Sequence, residues 1–418
     1  GQVAWELGML SSGKQISTPG VYGTYMSLLL QLIGIVFSII AQRYAPSNLH
    51  VNFWLNDCPS GYEDSCLGEG AVLRVSFAMV IMFALQIFGT SLYTKFFDLF
   101  WPVKFAIFFC LIIGFWFASN AVFSLKGYAW LARILGFFFV ILEQVILLDA
   151  AYLWNEKWLE YANADEDSEY LWKARLLMIS SIFFAGSIAA IGIMFWQFSG
   201  CTDSTVIISL TLCLSALATI LQLFASEVGS VLTSAIVTCY ATYVCYSAVT
   251  LNPDSSCNPT LQSGYQTLST IIGLVLTVIS LLWTTYSSIQ RIPSAVDKAT
   301  GVSYHLGDLV TQQPADTAVA DPEAGERAKS TVSVNETDAY ATSGLKSLLV
   351  QTSLVFLLIA GYYAMMLTNW ATLQSSNSIA SPKTGLAAMW IQAAAQWIAI
   401  IMYIWSLVAP KILTNREF

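Results

Sequence analysis

Ten long apolar runs decide what this chain can fold into. They fall at about 22–41, 71–90, 101–123, 128–154, 172–198, 204–224, 229–249, 268–289, 345–367 and 386–408. A hydrocarbon core of about 30 Å takes about 20 apolar residues per helical crossing, and each run reaches that length. None has the single polar face of a surface helix. Transmembrane strands would be about 10 residues long and would alternate, which these runs do not. Composition agrees, at 56% hydrophobic and 11% charged, against about 45–50% and about 25% in soluble domains. The chain reads as an all-α polytopic membrane protein with ten transmembrane helices. The fourth run, 128–154, reaches about 27 residues; at about 1.5 Å per residue it exceeds the bilayer and should tilt or project.

Several function classes drop out at once. A net charge of −8 argues against nucleic acid as a partner. Two histidines, His50 and His305, do not make a multi-histidine centre. No P-loop, dinucleotide fingerprint, His-Glu-x-x-His or nucleophile elbow is present. The Asp-rich metal motif of membrane alcohol phosphotransferases is also missing. No catalytic residue, metal or cofactor is therefore expected, and the chain is not read as an enzyme. Upstream of Val21, Trp5, Glu6 and Lys14 interrupt any signal-peptide core. Trp5 stands where N-myristoylation wants Ser or Thr.

Charge orients the spans. With both termini cytosolic, thirteen of the eighteen Lys and Arg lie in inner segments, and Arg43, Arg74, Lys126, Arg133 and Lys383 lie in outer ones. That is the asymmetry of the positive-inside rule. The same topology puts Cys58, Cys66, Cys201 and Cys257 in outer loops, where disulfides persist. Cys58 and Cys66 could close locally and leave Cys201 with Cys257, but four cysteines allow three pairings. Cys110, Cys213, Cys239 and Cys245 fall in spans as small packing residues. The sequon at Asn335 would be cytosolic and unused. In the fifth span Ala185, Gly186, Ala189 and Ala190 have spacing that permits close helix approach.

Residues 290–343 form the long polar stretch, nearly free of aromatics, and read as a mobile cytosolic loop. It is an inert linker or a docking site for a protein partner. Asp165, Glu166, Asp167 and Glu169 read as a solvated loop, because no glycine-centred calcium spacing accompanies them.

The fourth span carries Arg133, Glu143, Gln144 and Asp149. Arg133 should snorkel to the outer face and Asp149 to the inner. Glu143 lies deep in the run, ten residues from Arg133 and six from Asp149, where a charge costs several kcal/mol unless paired or wetted. Glu143 and Asp149 lie about 120° apart around the helix, so they do not share one stripe. A helix polar on several faces belongs among protein or around water. It offers a polar path for an ion, proton or lipid head group, or else a structural salt bridge to Arg74 or Lys104.

Several strings, in order, resemble the serine incorporator (TDE/TMS) family. They begin with Gly70–Ala78 and Trp101-Pro-Val-Lys104, and continue with Glu143–Glu156, Tyr240-Ala-Thr-Tyr243, Tyr246-Ser-Ala248, Pro253 and Cys257-Asn-Pro259. Met365–Trp370, Trp405 and Ala409–Phe418 close the series. The chain departs from the family in lacking its cysteine-rich N-terminal stretch, in Glu417 for Asp, and in Ala341–Gly344, where members are aromatic.

The resemblance implies one transmembrane domain over 1–418, built as two subdomains with the long tilted helix of about 128–154 between them and lipid-accessible grooves. It also implies lipid handling. Members were first described as helping incorporate serine into phosphatidylserine and sphingolipids, and have since looked like passive, ATP-independent phospholipid scramblases. Membrane phospholipid is then the expected partner, in the plasma membrane or an endomembrane, with Glu143, Asp149, Arg74, Lys104, Gln144 and Arg133 as the polar groups along the path. The alternatives are an accessory role in serine incorporation, a structural subunit of a larger membrane assembly, and a proton-coupled transporter.

Overall fold

A computed structural model describes residues 19–48, 63–123, 127–163, 166–224, 230–254, 256–260, 266–300, 343–371 and 382–412. Among these residues the chain is helical and contains no strand. Ten principal helices follow the ten runs: α1 Val21–Asn48, α2 Glu63–Leu92, α3 Trp101–Trp116, α4 Tyr128–Asn163, α5 Glu166–Phe198, α6 Thr202–Phe224, α7 Val231–Val249, α8 Gln266–Thr300, α9 Ser343–Leu367 and α10 Pro382–Ile412. Nine helices among the described residues are long and apolar enough to cross a membrane. This is an all-α polytopic membrane protein.

The exception is α3. Its 16 residues span about 24 Å, short of a hydrocarbon core. The expected run to 123 breaks at Phe117–Ser119 before a single turn, Asn120–Phe123. The cause is forty residues upstream. Arg74 of α2, fully buried, donates from Nε to the Phe115 carbonyl at 2.9 Å and from Nη2 to the Ala118 carbonyl at 2.7 Å. Its Nη1 reaches Asn120 Oδ1 at 2.7 Å and the Gly70 carbonyl at 2.9 Å. The guanidinium also lies 4.5 Å from the Phe123 ring centroid. Carbonyls freed by a helix end have no water to turn to in hydrocarbon, and one planar fork of donors serves two of them.

Helix α4 has 36 residues, about 54 Å, and outruns its apolar stretch. Aromatic side chains carry the extension. Trp154 and Trp158 meet edge to face at 5.5 Å, and Trp172 of α5 packs on Trp158 at 5.6 Å and on Tyr161 at 5.2 Å. Such rings suit the membrane–water boundary. Helix α8 likewise runs on to Thr300, past the expected start of the polar loop at 290, and residues 301–342 lie outside the described residues. In α5, Gly186 and Gly192 have open space where a Cβ would go. The small-residue face therefore does not serve close helix packing.

The chain divides into two compact units. The first comprises Gly1–Gln31, Ile81–Phe108 and Thr284–Phe356; the second comprises Leu32–Val80, Phe109–Trp283 and Leu357–Phe418. In the first, the Asp98 carboxylate accepts the Gly20 and Gly23 N–H groups at 2.7 and 2.6 Å and fixes the start of α1. Phe97, Ile292, Leu345 and Leu349 form its core cluster, and Phe83 stacks on Phe356 at 5.4 Å.

In the second unit, Gly361 lets α9 approach Leu135 of α4, where a Cβ would stand 2.6 Å from the leucine Cβ. A disulfide joins Cys201 to Cys257, one of the three pairings left open by the sequence. Cys66 is also disulfide-bonded, and Cys58 lies outside the described residues. Asn258 organises the loop after α7, donating to the Thr250 and Asn252 carbonyls at 2.7 and 2.8 Å.

Replacing Arg74 by Met should cost about 2–4 kcal/mol by taking the donor from the Ala118 carbonyl and from Asn120 Oδ1, while the Phe115 carbonyl keeps the Ala118 N–H at 3.1 Å. Arg74→Lys, with a single ammonium, should recover only part of it. Thermal unfolding in detergent measures both, and an unfolding midpoint unchanged in Arg74→Met would contradict the capping role.

Candidate functional site

The fourth run owed its interest to charges that apolar surroundings do not tolerate alone. Glu143, fully buried near the middle of α4, is held by hydroxyls. Tyr240 of α7 donates to its Oε2 at 2.8 Å, and Ser280 of α8 donates to its Oε1 at 3.2 Å. The Tyr240 hydroxyl also lies 3.3 Å from the Val140 carbonyl. All four residues belong to the second unit. The carboxyl therefore sits on neutral donors rather than in a salt bridge.

Gln144, next along the helix, is also buried, and its Nε2 has no hydrogen-bond partner among the described residues. Asp149 is half-buried and accepts a hydrogen bond from Trp283 Nε1 of α8 at 3.2 Å. Helical spacing sets the two acids on different stripes of α4, yet both meet α8, because the long indole reaches round to the second. Close approach of α8 depends on Gly273: a Cβ there would lie 2.5 Å from the Tyr243 hydroxyl and 2.3 Å from Met366 Cε.

The three cations do different work. Arg74 holds the broken end of α3, as described above. Arg133 does not snorkel: it is buried, and both Nε, at 2.9 Å, and Nη2 donate to the Trp370 carbonyl. That carbonyl belongs to a left-handed turn just after α9, in which Asn369, Trp370 and Ala371 have φ of 43°, 60° and 54°. A left-handed non-glycine residue costs roughly 1–2 kcal/mol, so this turn needs its clamp. In the first unit, Lys104 Nζ donates to the Phe96 and Phe97 carbonyls at 2.6 and 3.0 Å, between the rings of Phe96 and Trp101. Each cation takes backbone carbonyls that no helix ladder satisfies.

A model of the family described as serine incorporator (Serinc) matches residues 12–416. The chain belongs to the serine incorporator family. It is 27% identical to Serine incorporator 3 of Bos taurus over 393 residues, which cover 83% of this chain and 80% of the relative. Serine incorporator 2 of Homo sapiens is 29% identical over 346 residues, covering 76% and 71%. Serine incorporator 3 of Mus musculus is 27% identical over 448 residues, covering 95% and 90%.

Strings that carried the serine incorporator resemblance meet in this site. The Glu143–Glu156 string supplies both acids, and the Tyr240–Tyr243 string supplies the hydroxyl on Glu143. The Met365–Trp370 string supplies the turn that Arg133 clamps. Ser280 and Trp283 were not singled out in the sequence. Their signal is the recurrence of Thr277, Ser280, Thr284 and Ser288 at helical spacing along α8, which neutral residues give only weakly. One further cluster, Cys201, Asp254 and Cys257, brings three ligand-type side chains together. The two sulfurs are bonded to each other and cannot act as thiolate ligands.

Tyr240→Phe should cost about 1–3 kcal/mol by leaving Glu143 Oε2 without a donor. Ser280→Ala, which removes a longer bond, should cost less. In a Glu143→Leu background Tyr240→Phe should become nearly neutral; an equal loss of unfolding midpoint in both backgrounds would show that the pair is not coupled.

Proposed function

We propose that this serine incorporator moves phospholipid passively between leaflets, along a polar path beside α4, without ATP. One observation carries the reading. A fully buried acid, Glu143, and a half-buried one, Asp149, lie along one membrane helix on hydroxyl and indole donors. A lipid head group carries charge that hydrocarbon does not solvate. Two acids on weak neutral partners can exchange those partners for an ammonium or for water, whereas a tight ion pair would resist. In this reading Glu143, Gln144 and Asp149 line the path, while Arg74 and Arg133 keep the broken backbone of the same unit in shape.

The exposed apolar surface supports a protein bathed in lipid. Along α5, Leu177, Ile182, Ile188 and Trp196 each expose more than half their side chain. In the orientation we propose, both termini face the cytosol, and the disulfide between Cys201 and Cys257 lies on the opposite, non-reducing side. The serine-incorporation role suggested by the relatives' names fits an accessory that handles lipid, because the sequence holds no recognisable catalytic motif.

Reconstitution tests the proposal. Purified protein in liposomes with fluorescent lipid in both leaflets should let external dithionite bleach well past the outer-leaflet share. Glu143→Leu should slow that loss while the protein stays folded. Bleaching that stops at the level of empty vesicles would exclude lipid movement and favour a structural or accessory role.

A further inference from the structure

A second polar feature of the same unit contains no charge. On α6, Ser204, Thr211, Ser215 and Gln222 recur on one helical face; on α10, Gln392, Gln396 and Tyr403 do the same. All seven are buried. With α7 they form a seam of hydrogen bonds. Asn252 Nδ2 donates to Ser204 Oγ at 3.3 Å at one end. Gln392 Nε2 donates to Ser247 Oγ at 2.9 Å, and Gln396 Nε2 donates to Thr211 Oγ1 at 3.0 Å and to the Ala241 carbonyl at 2.8 Å. At the other end Tyr403 meets Ser234 Oγ at 2.8 Å and donates to Gln222 Oε1 at 3.3 Å. From Ser204 to Gln222 the seam rises about 27 Å, close to the thickness of a hydrocarbon core.

The seam is incomplete as the protein alone builds it. Gln392 Oε1, Gln396 Oε1 and Ser215 Oγ are buried without a hydrogen-bond partner among the described residues. Turning the Gln396 amide over does not help, because its oxygen would then face the Ala241 carbonyl, acceptor against acceptor. Near Ser247 there is also a small cavity of about 10 Å³, lined in part by Ser247, Thr250, Thr270, Asn369 and Trp370. That is about the room one water needs, with several polar partners around it. Trp370 lines it, and its Nε1 is buried without an acceptor among the described residues. Orphaned polar atoms cost more in hydrocarbon than in a soluble protein, whose unfolded segments and surface always have water.

We infer that this seam binds a file of water molecules. The first lies in the Ser247 cavity, where it accepts from the Trp370 indole; others donate to Gln392, Gln396 and Ser215. The occupant must donate at the two amide oxygens, accept at the indole nitrogen and do either at the Ser215 hydroxyl, and water does all three. Among the described residues the seam carries no formal charge, so a charged head group finds no counter-charge there. The site is distinct from the acids of α4 and does not rest on the lipid reading.

Water-edited solid-state NMR of the full chain in bilayers tests this. Polarisation from water should reach the Gln392 and Gln396 side-chain amides and the Trp370 indole early, ahead of the buried α4 backbone at Ala132 and Phe139. A Ser247→Ala, Thr250→Val double variant should delay the transfer at Trp370, and Ser247→Ala alone provides a milder change should the pair fail to fold. Transfer to the three side chains no faster than to Ala132 would overturn the inference. So would transfer at Trp370 that is unchanged in a folded variant.

Discussion

Every backbone carbonyl inside hydrocarbon needs a donor from the protein itself, and the rest of this structure follows from how that need is met where helices stop. Arg74 takes the carbonyls of Phe115 and Ala118, Arg133 takes that of Trp370, and Lys104 takes those of Phe96 and Phe97. Buried cations are usually explained by buried anions. Here Arg133 has Glu69 and Lys104 has Asp98 within electrostatic reach, and all three cations also donate to carbonyls where a helix or turn stops.

That use of the cations leaves the acids of α4 with other company. Glu143 rests on Tyr240 and Ser280, and Asp149 meets the indole of Trp283. Neutral donors hold an acid in place without cancelling it. The same unit holds the seam of α6, α7 and α10, built from neutral polar side chains, chiefly Gln, Asn, Ser, Thr and Tyr. It thus carries two kinds of polar interior: acids on hydroxyls and an indole, and a charge-free seam with oxygens to spare.

The spans were legible in the sequence because hydropathy integrates over twenty residues and tolerates local exceptions. The break in the third run was not, because Phe115–Phe123 stays mostly apolar and its cause, Arg74, is far away in sequence. Arg133 was read as a snorkelling residue, since nothing nearby predicts that Trp370 turns left-handed and offers it a carbonyl. Glu143 stood out because charge is scarce in this chain. Its partners did not, since a lone Tyr or Ser in an apolar helix is commonplace and only packing assigns it a role. Four loop cysteines left three pairings open, and packing brought Cys201 to Cys257.

The central claim is a division of labour, with cations that hold the backbone and acids that serve the path. Lipid flux per folded molecule, measured side by side for Arg133→Met and Glu143→Leu, tests it most directly. The account predicts that Arg133→Met lowers the yield of folded protein yet leaves flux per folded molecule near wild type. It predicts that Glu143→Leu folds well and loses flux. The reverse pattern, with flux lost in folded Arg133→Met and kept in Glu143→Leu, would contradict it.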